Sequence, residues 1–275
     1  LDKTKGNWGL YVLIFFIVVY SLFPFYYAIV TSFKTGSELF QVDYWIRSFN
    51  LENYKTLFAT QDFFTVIFNS VLVAFSTVVL SLLFGLTSAF VLGKIQFRGR
   101  GTIMAAILMV SMFPQIAVLS GLYTLIQAMG LYNHWFGLTV SYLIFTLPFT
   151  IWVLTSFIKQ IPRELEEAAQ MDGANPLERI FYIYLPLLAP ACVTTGLLAF
   201  IGAWNEFLFA LTFTVNEKAR TIPVAITLIS GASQYELPFG AIMAASVLVT
   251  LPLIFLVLIF QKRIVQGLTA GAVKG

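Results

Sequence analysis

Lys159-Gln-Ile-Pro162-Arg-Glu-Leu165-Glu-Glu-Ala168-Ala169-Gln-Met-Asp172-Gly173-Ala-Asn175-Pro176-Leu-Glu178-Arg-Ile180-Phe181-Tyr-Ile-Tyr184-Leu-Pro186-Leu-Leu188-Ala-Pro190 is the stretch on which the reading of this chain turns. Pro162 can open a helix, because its missing N–H would lack an intrahelical partner there anyway. Leu165, Ala168 and Ala169 then share one small apolar face at helical spacing. Asp172-Gly173 ends that helix, glycine being suited to the left-handed conformation of a helix stop. Asn175 predicts a second start, with Pro176 at the first helical position and Glu178 placed to return a capping-box bond. Leu177, Ile180, Phe181, Tyr184 and Leu188 follow as one apolar stripe, and Pro186 and Pro190 close the element. The stretch therefore reads as two short helices about a tight turn. It carries five acids (Glu164, Glu166, Glu167, Asp172, Glu178) against three bases. Helices that rest on a membrane surface are usually rich in Lys and Arg, so this acidic pair favours a protein partner over lipid.

Around this stretch the chain is strongly apolar. Of 275 residues, 59% are hydrophobic and 11% charged, with a mean hydropathy of +0.87. A soluble domain carries about 25% charged residues, so the bilayer is the expected solvent. A helix needs about 20 mainly apolar residues to cross the hydrocarbon core. Six segments meet that need: Gly9 to Thr31, Val66 to Gly93, Thr102 to Ile126, Trp135 to Ile158, Ala191 to Thr214 and Pro238 to Phe260. Pro114 and Pro148 predict kinks in the third and fourth. The expected fold class is an all-α integral membrane protein, with 1–275 forming a single transmembrane domain. Leu1 in place of Met suggests a chain that starts inside a longer product. The first apolar run exceeds a signal-peptide core and reads as a retained span.

Basic residues set the expected orientation. With the N-terminus cytoplasmic, the inner segments hold eleven of the sixteen Lys and Arg residues, which places both termini inside. The loop Lys94-Ile-Gln-Phe97-Arg98-Gly99-Arg100-Gly101 is the firmest anchor, with three bases and no acid. The longest outer loop runs from Ser32 to Thr65. Within it, Asn50 can cap a short interfacial helix that carries Leu51, Tyr54 and either Leu57 or Phe58 on one face. Cys192, the single cysteine, reads as a small buried hydrophobe, and His134, the single histidine, as a solvated loop residue.

With these residues in view the chain resembles a known family. Glu167-Ala168-Ala169-Gln-Met-Asp172-Gly173-Ala174, with Ile183-Tyr-Leu-Pro186 and Pro190, is similar to the Glu-Ala-Ala loop of ABC importer permeases. Trp204-Asn205-Glu206-Phe207, Thr221-Ile-Pro-Val224 and the terminal Gly267 to Gly275 narrow the resemblance to MalG-type permeases of carbohydrate importers. It covers essentially the whole chain. The resemblance implies the type I importer permease fold, in a bacterial or archaeal cytoplasmic (inner) membrane. It also implies half of a translocation pathway for a di- or oligosaccharide or related glycoside. Implied partners are a second, MalF-like permease subunit, a homodimeric ABC ATPase that holds ATP and Mg, and an extracytoplasmic sugar-binding protein. The implied ATPase-coupling residues are Glu167, Ala168, Ala169, Asp172, Gly173, Ala174 and Pro186, and the C-terminal tail, about 262–275, would reach the same ATPase. Relatives commonly have an aromatic residue where this chain has Ile180, and Phe181 is expected to fill that socket.

Glu206 is a carboxylate inside an apolar span, which marks it as a functional candidate. With Trp204 and Asn205 it reads either as an outer gate or as an ion pair with the partner subunit. The chain has no P-loop, no His-Glu-x-x-His and no nucleophile elbow. No catalytic residue, metal or cofactor is therefore assigned to it, and no nucleic-acid partner. Two alternative readings remain: an importer of glycerol-phosphate or polyol-type solutes with the same architecture, and an ion-coupled secondary transporter. The second would need several intramembrane charges, and the spans offer little beyond Glu206.

Overall fold

The computed structural model describes residues 8–60, 62–229 and 238–270, and these are helices and connecting segments with no strand. Contacts group the chain into two units, Leu1–Phe63 with Ile226–Pro252, and Phe64–Ala225 with Leu253–Gly275. Among the described residues, four helices are long and apolar enough to cross a membrane: Trp8–Ser32 (α1), Phe63–Lys94 (α3), Trp135–Ile158 (α6) and the Phe239–Lys262 part of α13. Two further crossings arise if each of two sharply bent helix pairs counts as one.

In the first unit, α1 is apolar on every side, and each residue from Trp8 to Tyr26 is exposed. Only its end, Val30 to Ser32, is buried. That end is tied to the segment that follows it. Lys34 Nζ donates to the carbonyls of Gln41 at 3.1 Å and Asp43 at 2.8 Å. Asn50 Oδ1 accepts the Glu52 N–H at 2.9 Å, the cap expected for a helix here, and helix α2 follows as Glu52–Thr60. Leu57 is its buried residue, whereas Leu51 is exposed. Asn53 Nδ2 donates to the carbonyls of Ser32 at 2.8 Å and Lys34 at 2.9 Å. Gly240, at the start of α13, lies so close to Asn53 that a Cβ there would sit 2.6 Å from its amide. Helix α13 runs to Ala270. The tail expected to reach the ATPase therefore begins inside a helix, and 271–275 lie outside the described residues.

The second unit is organised by α3 and α6. Ser81, Gly85, Ala89 and Gly93 recur every fourth residue on α3, a spacing that lines small side chains along one helix face and lets backbones approach closely. Ser81 Oγ and Thr146 Oγ1 are hydrogen-bonded at 2.6 Å. A Cβ on Gly85 would lie 2.6 Å from Thr150 Cγ2, and one on Gly93 would lie 2.5 Å from Ile158 Cγ2. Residue 81 therefore faces 146, 85 faces 150, and 93 faces 158, so the two helices run parallel and in register. The segment between them must climb the full height again.

It does so as a broken pair, α4 (Arg100–Ser111) and α5 (Gln115–Ala128), bent by 98°. Pro114 disfavours helix for the residue before it, and with ψ 133° it leaves the helical region itself. The expected kink is a full break.

The fifth expected span departs further. Helix α10 (Ala189–Asn205) stops short of the expected end, so Ala191 to Thr214 is not one helix. Glu206 is extended, with φ −69° and ψ 129°, and a short helix, α11 (Leu208–Phe213), follows. The Thr221-Ile-Pro-Val224 stretch starts α12 (Ile222–Thr227), with Thr221, Ile222 and Val224 buried. Asn69 Nδ2 donates to the carbonyls of Lys218 and Arg220, and Ser70 Oγ accepts the Ile222 N–H at 2.8 Å. Polar side chains near the start of α3 thus satisfy this irregular backbone, which has no ladder of its own. His134 is not merely a solvated loop residue, since its Nδ1 accepts the Phe136 N–H and caps α6.

A candidate coupling site between the fourth and fifth long segments

The stretch 159–190 folds as two short helices about a tight turn. Helix α7 spans Arg163–Met171, with Pro162 just before it and Asp172 at its C-cap. Gly173 follows at φ +82°. Its N–H donates to the Gln170 carbonyl at 3.0 Å, and the Ala174 N–H donates to the Ala169 carbonyl at 2.9 Å. These are the paired bonds of a Schellman stop. Asn175 Oδ1 then accepts the N–H groups of Leu177 and Glu178, each at 3.0 Å, and Glu178 Oε2 accepts the Asn175 N–H at 2.7 Å. The capping box is complete, with Pro176 in the first turn of α8 (Pro176–Glu178).

The helix continues from α8 through a π-helical segment, Arg179–Tyr184, into α9 (Leu185–Leu187). Hydrogen bonds spanning five residues widen the turn, so residues four apart fall into line. Ile180, Tyr184 and Leu188 accordingly pack with Leu86, Ala89 and Phe90 of α3, Leu154 and Ile158 of α6, and Cys192 of α10. Leu177 and Phe181 are exposed, so the apolar stripe divides in two. Phe181 does not share the position of Ile180, which faces the chain's own core. After Leu188 the chain turns by 84° into α10 (Ala189–Asn205).

Electrostatics hold the pair in place. Glu166 Oε1 accepts from Arg179 Nη1 at 3.2 Å, which joins α7 to the π segment, and Glu166 Oε2 lies 3.9 Å from Lys94 Nζ at the end of α3. Lys94 also donates to the Ile161 carbonyl at 2.8 Å and sits over the Tyr184 ring, while Arg179 covers the Phe90 ring. Burial raises the Tyr184 phenol above its ordinary pKa, and the Glu166 carboxylate beside it adds to the rise, so the ring under Lys94 stays neutral. Glu166 is the residue that local sequence reasoning missed, because Lys94 reaches it only through the fold.

Of the residues assigned to coupling, Glu167, Ala168, Asp172, Gly173 and Pro186 are exposed, and Ala174 is half-buried. Ala169 is buried at 7% exposure, so it does not share the open face of Leu165 and Ala168; it packs inward and lends its carbonyl to the turn. Leu165, Met171 and Leu177 leave large apolar surfaces open around that turn.

At the other end of α10, the structure separates the three gate candidates. Trp204 is buried and stacked on Phe200 at 5.5 Å. Asn205 is exposed, and its Nδ2 donates to the Ile201 carbonyl. Glu206 is buried, and its carboxylate accepts the N–H groups of Phe209 at 2.8 Å and Ala210 at 3.1 Å. It caps α11, as a carboxylate at a helix start should. Glu206→Ala is expected to destabilise the purified protein by about 2 kcal/mol and Glu206→Gln by about half that, because one amide oxygen still accepts. Thermal unfolding checks this. Equal loss of transport by both variants at unchanged stability would instead favour a gate or intersubunit ion pair.

Comparison with known proteins agrees with this architecture. Residues 81–270 match the family described as "Binding-protein-dependent transport system inner membrane component". The chain is 38% identical over 259 residues to the trehalose transport system permease protein SugB of Mycobacterium tuberculosis, covering 94% of each. It is 41% identical over 266 residues to the trehalose/maltose transport system permease protein MalG of Thermococcus litoralis, again covering 94% of each. A chain in the crystal structure of a bacterial ABC transporter that imports alginate superposes with a TM-score of 0.82. That likeness covers 95% of this chain and 98% of the other at 24% identity, and speaks for the fold. A family match over most of the sequence, together with full-length relatives above 30% identity, leads to one conclusion: this chain belongs to the binding-protein-dependent transport system inner membrane components.

Proposed function

We propose that the chain is a permease subunit of an ABC importer for a di- or oligosaccharide or related glycoside, and that α7 to α9 dock a separate ATPase. The observation that carries this reading is the built helical pair of 163–187. Its turn is closed by a Schellman stop and a capping box, its body is ion-paired to the end of α3, and Leu165, Met171 and Leu177 are left open. A loop that only connected two spans would need none of this. Closure of the ATPase around ATP would push on the pair. Because Ile180, Tyr184 and Leu188 pack against α3 and α6, the push would move those helices as a body. The whole chain, 1–275, would act as one permease domain.

Six crossings with both termini cytoplasmic complete the proposal. The parallel register of α3 and α6 supports counting α4 and α5 as one crossing, and the excess of Lys and Arg on the inner side supports the orientation. Helix α1, apolar and exposed all round, needs cover from lipid and from a second permease subunit. The test is uptake of radiolabelled trehalose and maltose by vesicles containing the assembled transporter with its binding protein. Accumulation should require ATP and the binding protein, and should survive collapse of ion gradients. Uptake that follows an ion gradient without ATP would overturn the reading.

A further inference from the structure

We infer that the groove between α3 and α4 is a binding site for an anionic phospholipid, with its acyl chain in the groove and its headgroup on Arg98 and Arg100. The open groove is lined by Thr87, Ser88, Val91 and Leu92 of α3, Phe97 of the loop, and Ile103 and Ile107 of α4. Thr87 spends its hydroxyl on the carbonyls of Leu83 and Phe84, so its remaining surface toward the groove is apolar. Leu92 is buried, whereas Val91, Phe97 and Ile103 are exposed.

One end of the groove meets the loop Lys94 to Gly101, where Gly99 at φ +89° turns the chain so that α4 begins at Arg100. Here the charge is one-sided. The sequence has no Asp or Glu between Asp62 and Glu164. Lys94 is matched by Glu166 across the fold, but Arg98 and Arg100 form no ion pair among the described residues. An apolar slot along a span, one end of which is lined by a loop carrying two unmatched arginines, has the polarity of an anionic lipid, tail toward the membrane and phosphate at the basic end. A protein helix seated there would need carboxylates facing Arg98 and Arg100 and an apolar face below them. Lipid supplies both in one molecule and is always present.

The test uses the intact transporter in vesicles of phosphatidylcholine and phosphatidylglycerol at three to one, with a trace of phosphatidylglycerol carrying a photoactivatable acyl chain. Illumination and peptide mapping should place cross-links on Val91, Phe97, Ile103 or Ile107. Labelling should exceed that by the matching phosphatidylcholine probe at least five-fold. Arg98→Gln with Arg100→Gln should bring the two probes level, while Ile103→Trp, which fills the slot, should reduce labelling by both. Equal labelling of the unaltered protein by the two probes would overturn the proposal. So would absence of label from the groove, or label confined to another protein subunit. These outcomes do not depend on which sugar is carried, nor on the ATPase docking described above.

Discussion

Glu166→Ala is expected to release the helical pair from the end of α3 and to abolish transport at near-normal membrane levels. The substitution removes the carboxylate that Arg179 and Lys94 share, and both cations are largely buried, their side chains 14% and 7% exposed. Removing one partner of such a pair leaves buried charge uncompensated and costs about 3 kcal/mol, or roughly a hundred-fold in the population of undocked loop. Lys94 would keep its bond to the Ile161 carbonyl, and Arg179 its contact with the Phe90 ring, so the helices themselves should persist. The measurement is limited trypsin digestion at the exposed Lys159 and Arg163, where cleavage should quicken by about that factor. Glu166→Gln should lie between, because the amide oxygen can still accept from Arg179. Unchanged cleavage of the alanine variant would show that apolar packing alone holds the pair.

Gly173→Val is expected to separate ATP hydrolysis from uptake. Apart from its chain neighbours, nothing lies within 4 Å of a Cβ built at Gly173, so the added Cβ meets open space and the expected effect comes through the backbone. At φ +82° an L-residue costs about 1–2 kcal/mol, and a β-branched one more. The chain would escape by leaving the left-handed region. The bonds from Gly173 and Ala174 to Gln170 and Ala169 would then be lost, and the angle between α7 and α8 would change. A contact surface composed of both helices would no longer match a rigid partner. Gly173→Asn, which tolerates this conformation, should keep most of the uptake. Substrate-stimulated ATPase activity and uptake, measured on the same vesicles, give the comparison. Normal uptake by the valine variant would remove the turn from the mechanism.

These two residues also mark how far the sequence could be read. Gly173 was legible because everything that defines its role lies within five residues. The Schellman bonds and the Asn175–Glu178 box depend on residue type and spacing alone, and they can be read without knowing what surrounds them. Glu166 was not legible, since it looked like one acid among five on a solvated face. Its distinction is Lys94, 72 positions earlier, brought near by the packing of the loop on α3. Ile180 and Phe181 carry the same lesson, because an ideal helical period placed both on one stripe and the π segment separated them. The gate candidates fared likewise: hydropathy carried the fifth span through Glu206, whereas capture of the Phe209 and Ala210 N–H groups by its carboxylate breaks the helix there.

By itself the sequence determined that the chain is helical and membrane-embedded, where most of the long apolar segments lie, and that an acidic pair of capped helices sits between the fourth and fifth. Those features follow from the transfer of apolar side chains and from hydrogen bonds closed within one turn, both of which are local. Only the tertiary structure decided which face of that pair is buried, which carboxylate holds it, and that α3 and α6 run parallel along Ser81, Gly85, Ala89 and Gly93. Each of these depends on close approach or charge pairing between residues tens of positions apart. Such contacts become favourable only after the backbone has brought them together, and local spacing carries no record of them.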